Sequence, residues 1–184
     1  MRRGTRRLQT VAWLPAPRGF SLLEVVISLF LVGTIMVVAL EALTAATTGR
    51  ARAGNNAQAC LLAHALLQEI IDKPYLEPDD TAAFGPETGE TATGTRAGFD
   101  DVDDYHNWSE SPPETRDGTD LPLSSDWRRR VAVQWVQPNN ITVNSPTDGG
   151  LKQIVVTVEH KGVVLSQASM VVTKSRQVLP AKGP

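Results

Sequence analysis

The chain has 184 residues, with 18 Lys and Arg against 20 Asp and Glu, three histidines and a single cysteine. That length leaves room for one modest folded domain beside any membrane segment and excludes a multidomain enzyme. A lone Cys60 excludes an intramolecular disulfide, and the charge balance supplies no basic surface for nucleic acid.

Residues 1–19 read as a basic leader, with Arg2, Arg3, Arg6, Arg7 and Arg18 and no acid. This bias holds a segment on the cytoplasmic side of a membrane. Nineteen residues follow from Val25 to Leu43 with Glu41 as their only charge, and Glu24 stands just before them. A carboxylate in hydrocarbon costs a few kcal/mol on insertion scales, so Glu24 calls for a partner. A secretory signal is cut after its apolar run, whereas the Gly19-Phe20 junction lies before it. A cut there removes only the leader and leaves 13 basic against 20 acidic residues, a net charge of about −7. Such an acidic product disfavours nucleic acid and anionic lipid as partners.

The stretch Arg18-Gly19-Phe20-Ser21-Leu22-Leu23-Glu24 resembles the class III signal of type IV pilins and type II secretion pseudopilins. The resemblance implies that a prepilin peptidase cuts after Gly19 and methylates the new N-terminal Phe20. It also implies that Glu24 meets the N-terminal ammonium of a neighbouring subunit when helices pack into a fibre; a buried carboxylate is tolerable when so paired. Expected partners are the peptidase, other pilin or pseudopilin subunits and the inner membrane, with no nucleic acid. No catalytic residue, cofactor or metal is expected. The leader would be cytoplasmic and the C-terminal domain periplasmic, before the product enters a pilus or pseudopilus. Two departures stand out. The proline that many major pilins carry within the apolar segment is missing, so no proline kink is expected, and Glu41 reads as interfacial.

Residues 20–46 form the expected transmembrane helix, and 47–73 its amphipathic continuation, with Ala53, Ala57, Cys60, Leu61, Ala63, Leu67, Ile70 and Ile71 as the apolar stripe. Cys60 is expected to pack within that stripe. Gly49 and Gly54 soften the helix by roughly 1 kcal/mol each against Ala, and Lys73-Pro74 stops it. A helix from Ser21 to Asp72 is roughly 78 Å long, against about 30 Å of bilayer core. The remainder needs a cover, which the C-terminal half must provide.

Residues 74–125 form a polar loop rich in Gly, Pro, Thr and Asp, from which little core is expected. Within it, Phe99 to Trp108 interleaves Asp100, Asp101, Asp103 and Asp104 with Phe99, Tyr105 and Trp108. One reading packs the aromatics while the aspartates cap turns and face water. Calcium held by the four aspartates is the alternative, although an EF-hand's alternating ligands, central Gly and terminal Glu are missing.

From 126 to 174 the period becomes two, with Val131, Val133 and Trp135 in one strand, Ile154, Val156 and Val158 in a second, and Val163 to Val172 as a third. Asn139-Asn140, Asp148-Gly149-Gly150 and His160-Lys161-Gly162 mark the connections. Arg128-Arg129-Arg130 reads as a solvated edge, and residues 175–184 as a tail. The fold class is α+β, a long N-terminal helix on a small antiparallel meander. His64, His106 and His160 have no metal-ligand spacing and no serine has a nucleophile motif, which points away from catalysis. The expected function is that of a minor pilin or pseudopilin. The alternative is a membrane-tethered periplasmic binding domain that does not polymerise.

Overall fold

The computed structural model describes residues 19–77, 84–87, 89–90, 94–122 and 124–176. The leader arginines (residues 1–18), parts of the 74–125 loop and tail residues 177–184 lie outside the described residues. The chain divides into two compact units, residues 1–48 and 49–184. One helix, α1 (Leu22–Ile71), contributes to both.

In the first unit α1 begins with the Val25 N–H donating to the Ser21 carbonyl at 3.1 Å. All described residues from Gly19 to Thr48 are exposed. The hydroxyls of Thr34 and Thr44 donate to the carbonyls of Leu31 and Leu40 at 2.9 and 3.0 Å. These hydroxyls are thus satisfied inside the helix, as a lipid environment requires. By length and composition α1 can cross a membrane.

In the second unit α1 is unbroken at Gly54 and ends where the Lys73 N–H reaches the Ile70 carbonyl at 3.0 Å, one residue before Pro74. Its buried face is Ala59, Ala63, Leu66, Leu67 and Ile70. Ala53, Ala57, Cys60 and Leu61 stay exposed, so the sheet covers only part of the expected stripe. At 100° per residue Leu61 lies on the opposite side from Ala59, Ala63 and Ile70, and the stripe read from sequence had merged two faces. Cys60 is therefore exposed and not packed, its Sγ 3.5 Å from His64 Nδ1.

The sheet has five antiparallel strands: β1 (Ser109–Glu110), β2 (Trp127–Gln137), β3 (Asn140–Asn144), β4 (Leu151–His160) and β5 (Val163–Thr173). Their order is β1-β2-β4-β5, with β3 folded back on the end of β2. The three expected strands are β2, β4 and β5. Val131 pairs with Val156 and Val133 with Ile154, so the β-branched side chains of the inner face lie side by side. The β4–β5 turn is Lys161-Gly162, both at positive φ (51° and 79°), as a two-residue turn matched to strand twist requires. Two strands exceed the expected three. All five residues of β3 are exposed, so no burial period marks it, and β1 has only two residues.

The core joins α1's buried face to Val131, Val133, Ile154, Val156 and Val158 of the sheet. It also takes Phe99, Val102 and Tyr105 from the polar loop, which therefore contributes more core than its composition promises. Phe99 stands edge-on to Tyr105 and Trp108, with ring centroids 5.0 and 5.4 Å apart.

Candidate functional site

The residues singled out in the sequence fall in two places. Phe20 is 80% exposed, and a Cβ on Gly19 would meet nothing within 4 Å. Nothing inside the described chain demands glycine at that junction. Glu24 lies in the first turn of α1, where the partial positive charge of the unpaired N–H groups favours an acid. It is exposed and makes no ion pair among the described residues. The helix therefore carries an unpaired carboxylate next to Val25, Val26 and Ile27, all exposed.

The second place is the loop around Asp104, where burial corrects the sequence reading. Asp101, Asp103 and Asp104 are buried and only Asp100 faces water. They do cap turns. Asp104 Oδ2 accepts from the N–H groups of Asp100 and Asp101 at 2.7 and 2.9 Å, and Asp101 Oδ1 from those of Asp103 and Asp104 at 2.7 and 3.2 Å. Lys152 of β4 compensates the buried charge. Its ammonium bonds Asp103, donates to the Tyr75 carbonyl at 2.5 Å, and lies 3.7 Å from Asp101 and 4.5 Å from the Tyr75 ring centroid. Closer engagement with Asp103 leaves Asp101 poorly compensated. Burial, then the neighbouring Asp103, push Asp101 up to about 8.

A second buried network ties the loop to α1 and the sheet. Arg96 forks onto Glu69 of α1 at 3.0 and 3.2 Å and also bonds Glu110 of β1. Arg129 of β2 reaches the same Glu110 and donates to the Glu114 carbonyl at 2.6 Å. Trp108 Nε1 donates to Glu110 at 3.1 Å, and the Tyr105 hydroxyl donates to Glu69 at 3.0 Å. Burial alone would raise the Glu69 carboxyl, but Arg96, Tyr105 and Arg129 outweigh it and hold it below its ordinary value. Arg129 is thus buried, and the reading of Arg128–Arg130 as a solvated edge holds only for its two neighbours. β2 lies between β1 and β4, and alternation turns its middle arginine inward.

A donor set for a cation exists elsewhere than the sequence suggests. Carboxylate oxygens of Glu77, Glu87, Glu90 and Asp104 lie within 4.8 Å of one another. Of the four aspartates considered for calcium only Asp104 belongs to it, because Lys152 engages Asp101 and Asp103. Burial and the surrounding acids raise Glu77 to about 7, and burial raises Asp104 to about 6, so protonation relieves the same repulsion. The histidines form no such set: His64 is exposed, the Val133 N–H donates to His106 Nδ1 at 3.3 Å, and His160 lies against Trp127 with centroids 4.5 Å apart.

No curated protein and no solved structure matches the chain. Residues 15–40 fit the family model described as the prokaryotic N-terminal methylation motif. It contains Gly19, Phe20 and Glu24 and the first turns of α1. With this motif on one long apolar helix, and an antiparallel sheet completing an α+β fold, the chain carries the signature of type IV pilin and pseudopilin family members.

Proposed function

We propose that this chain is a minor pilin or minor pseudopilin, cut between Gly19 and Phe20 by a prepilin peptidase, methylated on Phe20, and assembled into a type IV pilus or a type II secretion pseudopilus. The supporting observation is the pairing of the methylation motif with an exposed, unpartnered Glu24 in the first turn of an apolar helix. In this reading the leader stays cytoplasmic, α1 anchors the product in the inner membrane, and residues 49–184 are periplasmic.

Chemically, the cut creates what Glu24 lacks. Hydrolysis of the Gly19-Phe20 amide releases an α-ammonium on Phe20, which carries positive charge after N-methylation. When helices of neighbouring subunits pack, that ammonium of one can meet Glu24 of the next, and only a paired carboxylate is tolerated away from water. Residues 20–24 do no catalysis here; they are substrate and then contact. The open surroundings of Gly19 support this, because the demand for a residue without a side chain then comes from the peptidase's own site.

Co-expression with a prepilin peptidase, followed by N-terminal sequencing and intact mass, tests the reading. The expected product starts at N-methyl-Phe20. An unprocessed chain, or a cut at any other bond, overturns it.

A further inference from the structure

Beside Lys152 the fold leaves a cavity of about 210 Å³. Two aromatic rings line it, Phe84 and Trp135, in edge contact with centroids 4.7 Å apart. The carboxyl groups of Glu77, Asp101, Asp103 and Asp148 and the side chain of Leu76 also line it. Among the described residues Lys152 is the only basic one lining it, and its ammonium is already engaged by Asp103 and the Tyr75 carbonyl. Glu77 Oε2 and Trp135 Nε1 are both shielded from solvent and lack a hydrogen-bond partner among the described residues. The cavity thus combines a surplus of acidic over basic side chains with aromatic walls and polar atoms that have no partner among the described residues.

That combination selects among ligands. An anion would face four acidic side chains and one ammonium that is already engaged. A small metal ion would gain nothing from the two rings, and Lys152 already occupies the position between Asp101 and Asp103. An organic cation uses both features, since its charge is attracted to ring faces and to carboxylates while its carbon stem packs on the aromatics. The volume lies below the roughly 300–1,000 Å³ of pockets for drug-sized ligands, so the fit is to a group the size of one side chain.

We propose that this cavity binds an alkylammonium or guanidinium group, seated against Phe84 and Trp135 with Glu77 as its counter-charge. The group can belong to a free amine or to a Lys or Arg side chain of another copy of this chain. The site goes beyond the assembly reading and stands whether or not the chain polymerises.

The test uses the full chain in non-ionic detergent micelles, ¹⁵N-labelled, with the indole N–H signals as reporters and Trp135→Phe to assign the relevant one. n-Butylammonium and n-butylguanidinium are the probes. A saturable shift of the Trp135 signal is expected, with the Trp108 and Trp127 signals unmoved. Glu77→Gln, which keeps the shape, should weaken binding about tenfold or more through loss of a charged hydrogen bond. Adding unlabelled chain without probe separates the sources. A shift that grows with chain concentration identifies a side chain of another copy, a shift with the free probes alone identifies a small amine, and either supports the site. No shift with either probe or with added chain, equal binding by Glu77→Gln, or a shift with calcium chloride but with neither amine nor added chain overturns the proposal.

Discussion

The two units of this chain invert each other. From Phe20 to Leu43 large apolar side chains stand exposed, whereas the second unit buries Arg96, Glu110, Arg129, Asp103 and Lys152. In the first unit the large apolar side chains are exposed throughout the described residues, so any cover must come from their surroundings. In the second every one of those charges finds its counter-charge within the fold. The difference teaches where each part gets its stability: one from its surroundings, the other from its own long-range pairs.

The contrast breaks most sharply at Glu110. Replacing it by leucine leaves Arg96 and Arg129 facing each other without the shared carboxylate, and Trp108 Nε1 without an acceptor. Glu110→Leu should cost about 3–5 kcal/mol, read as a lower denaturant midpoint. An unchanged midpoint would show that the buried network does not hold the second unit together.

The next effect concerns pH. Asp101, raised to about 8 from an ordinary 3.8, keeps in the folded chain a proton that the unfolded chain has already released. The folded state therefore binds more protons between about pH 4 and 8, and stability falls as pH rises through that window. Glu77 and Asp104, also raised, act in the same direction. Thermal scans should show Tm falling by a few degrees from pH 5 to pH 8, of order 2–4 °C per kcal/mol. Asp101→Asn, which keeps an acceptor for the N–H groups of Asp103 and Asp104, should flatten the decline. A slope identical to the parent's would remove Asp101 as its source.

Leu61 probes the second unit's outer face. It is 71% exposed on α1, opposite the buried residues. Leu61→Gln should change folding stability by no more than about 0.5 kcal/mol; a larger loss, seen in denaturant melts, would mean that this face is covered within the chain. Glu24→Ala should have the smallest effect on folding and still prevent entry into a fibre, while processing at Gly19 continues. Immunoblots of sheared fibres against membrane fractions separate the two. Normal incorporation would show that the proposed ion pair is dispensable.

Sequence and structure agree where a pattern is local and repeated. The apolar run of α1, the Lys73-Pro74 stop, the alternation in β2 and β4 and the Lys161-Gly162 turn were all legible because a few adjacent residues fix each one. What could not be read depends on partners far along the chain. The counter-charges that allow Arg129 to be buried are distant in the chain, since Glu110 lies 19 residues away and Glu69 farther still. For the same reason the aspartates at 101 and 103 looked like surface residues until Lys152 was placed against them. A closer look at parity could have flagged Arg129, which shares its side of β2 with Trp127, Val131 and Val133. Asn140–Asn144 also alternates Ile141, Thr142 and Val143, a strand signal hidden by the asparagines at its ends.

Lys152 has a consequence for the order in which the fold can close. Its partners, Asp103 and Tyr75, precede it by 49 and 77 residues. Contacts of that span form only after large loops have lost their freedom, so they come late and couple distant segments in one cooperative step. A chain ending before β4 would hold α1 and the acidic loop yet lack the ammonium that joins Tyr75 to Asp103. Asp101 and Asp103 would then lack their counter-charge until β4 arrived.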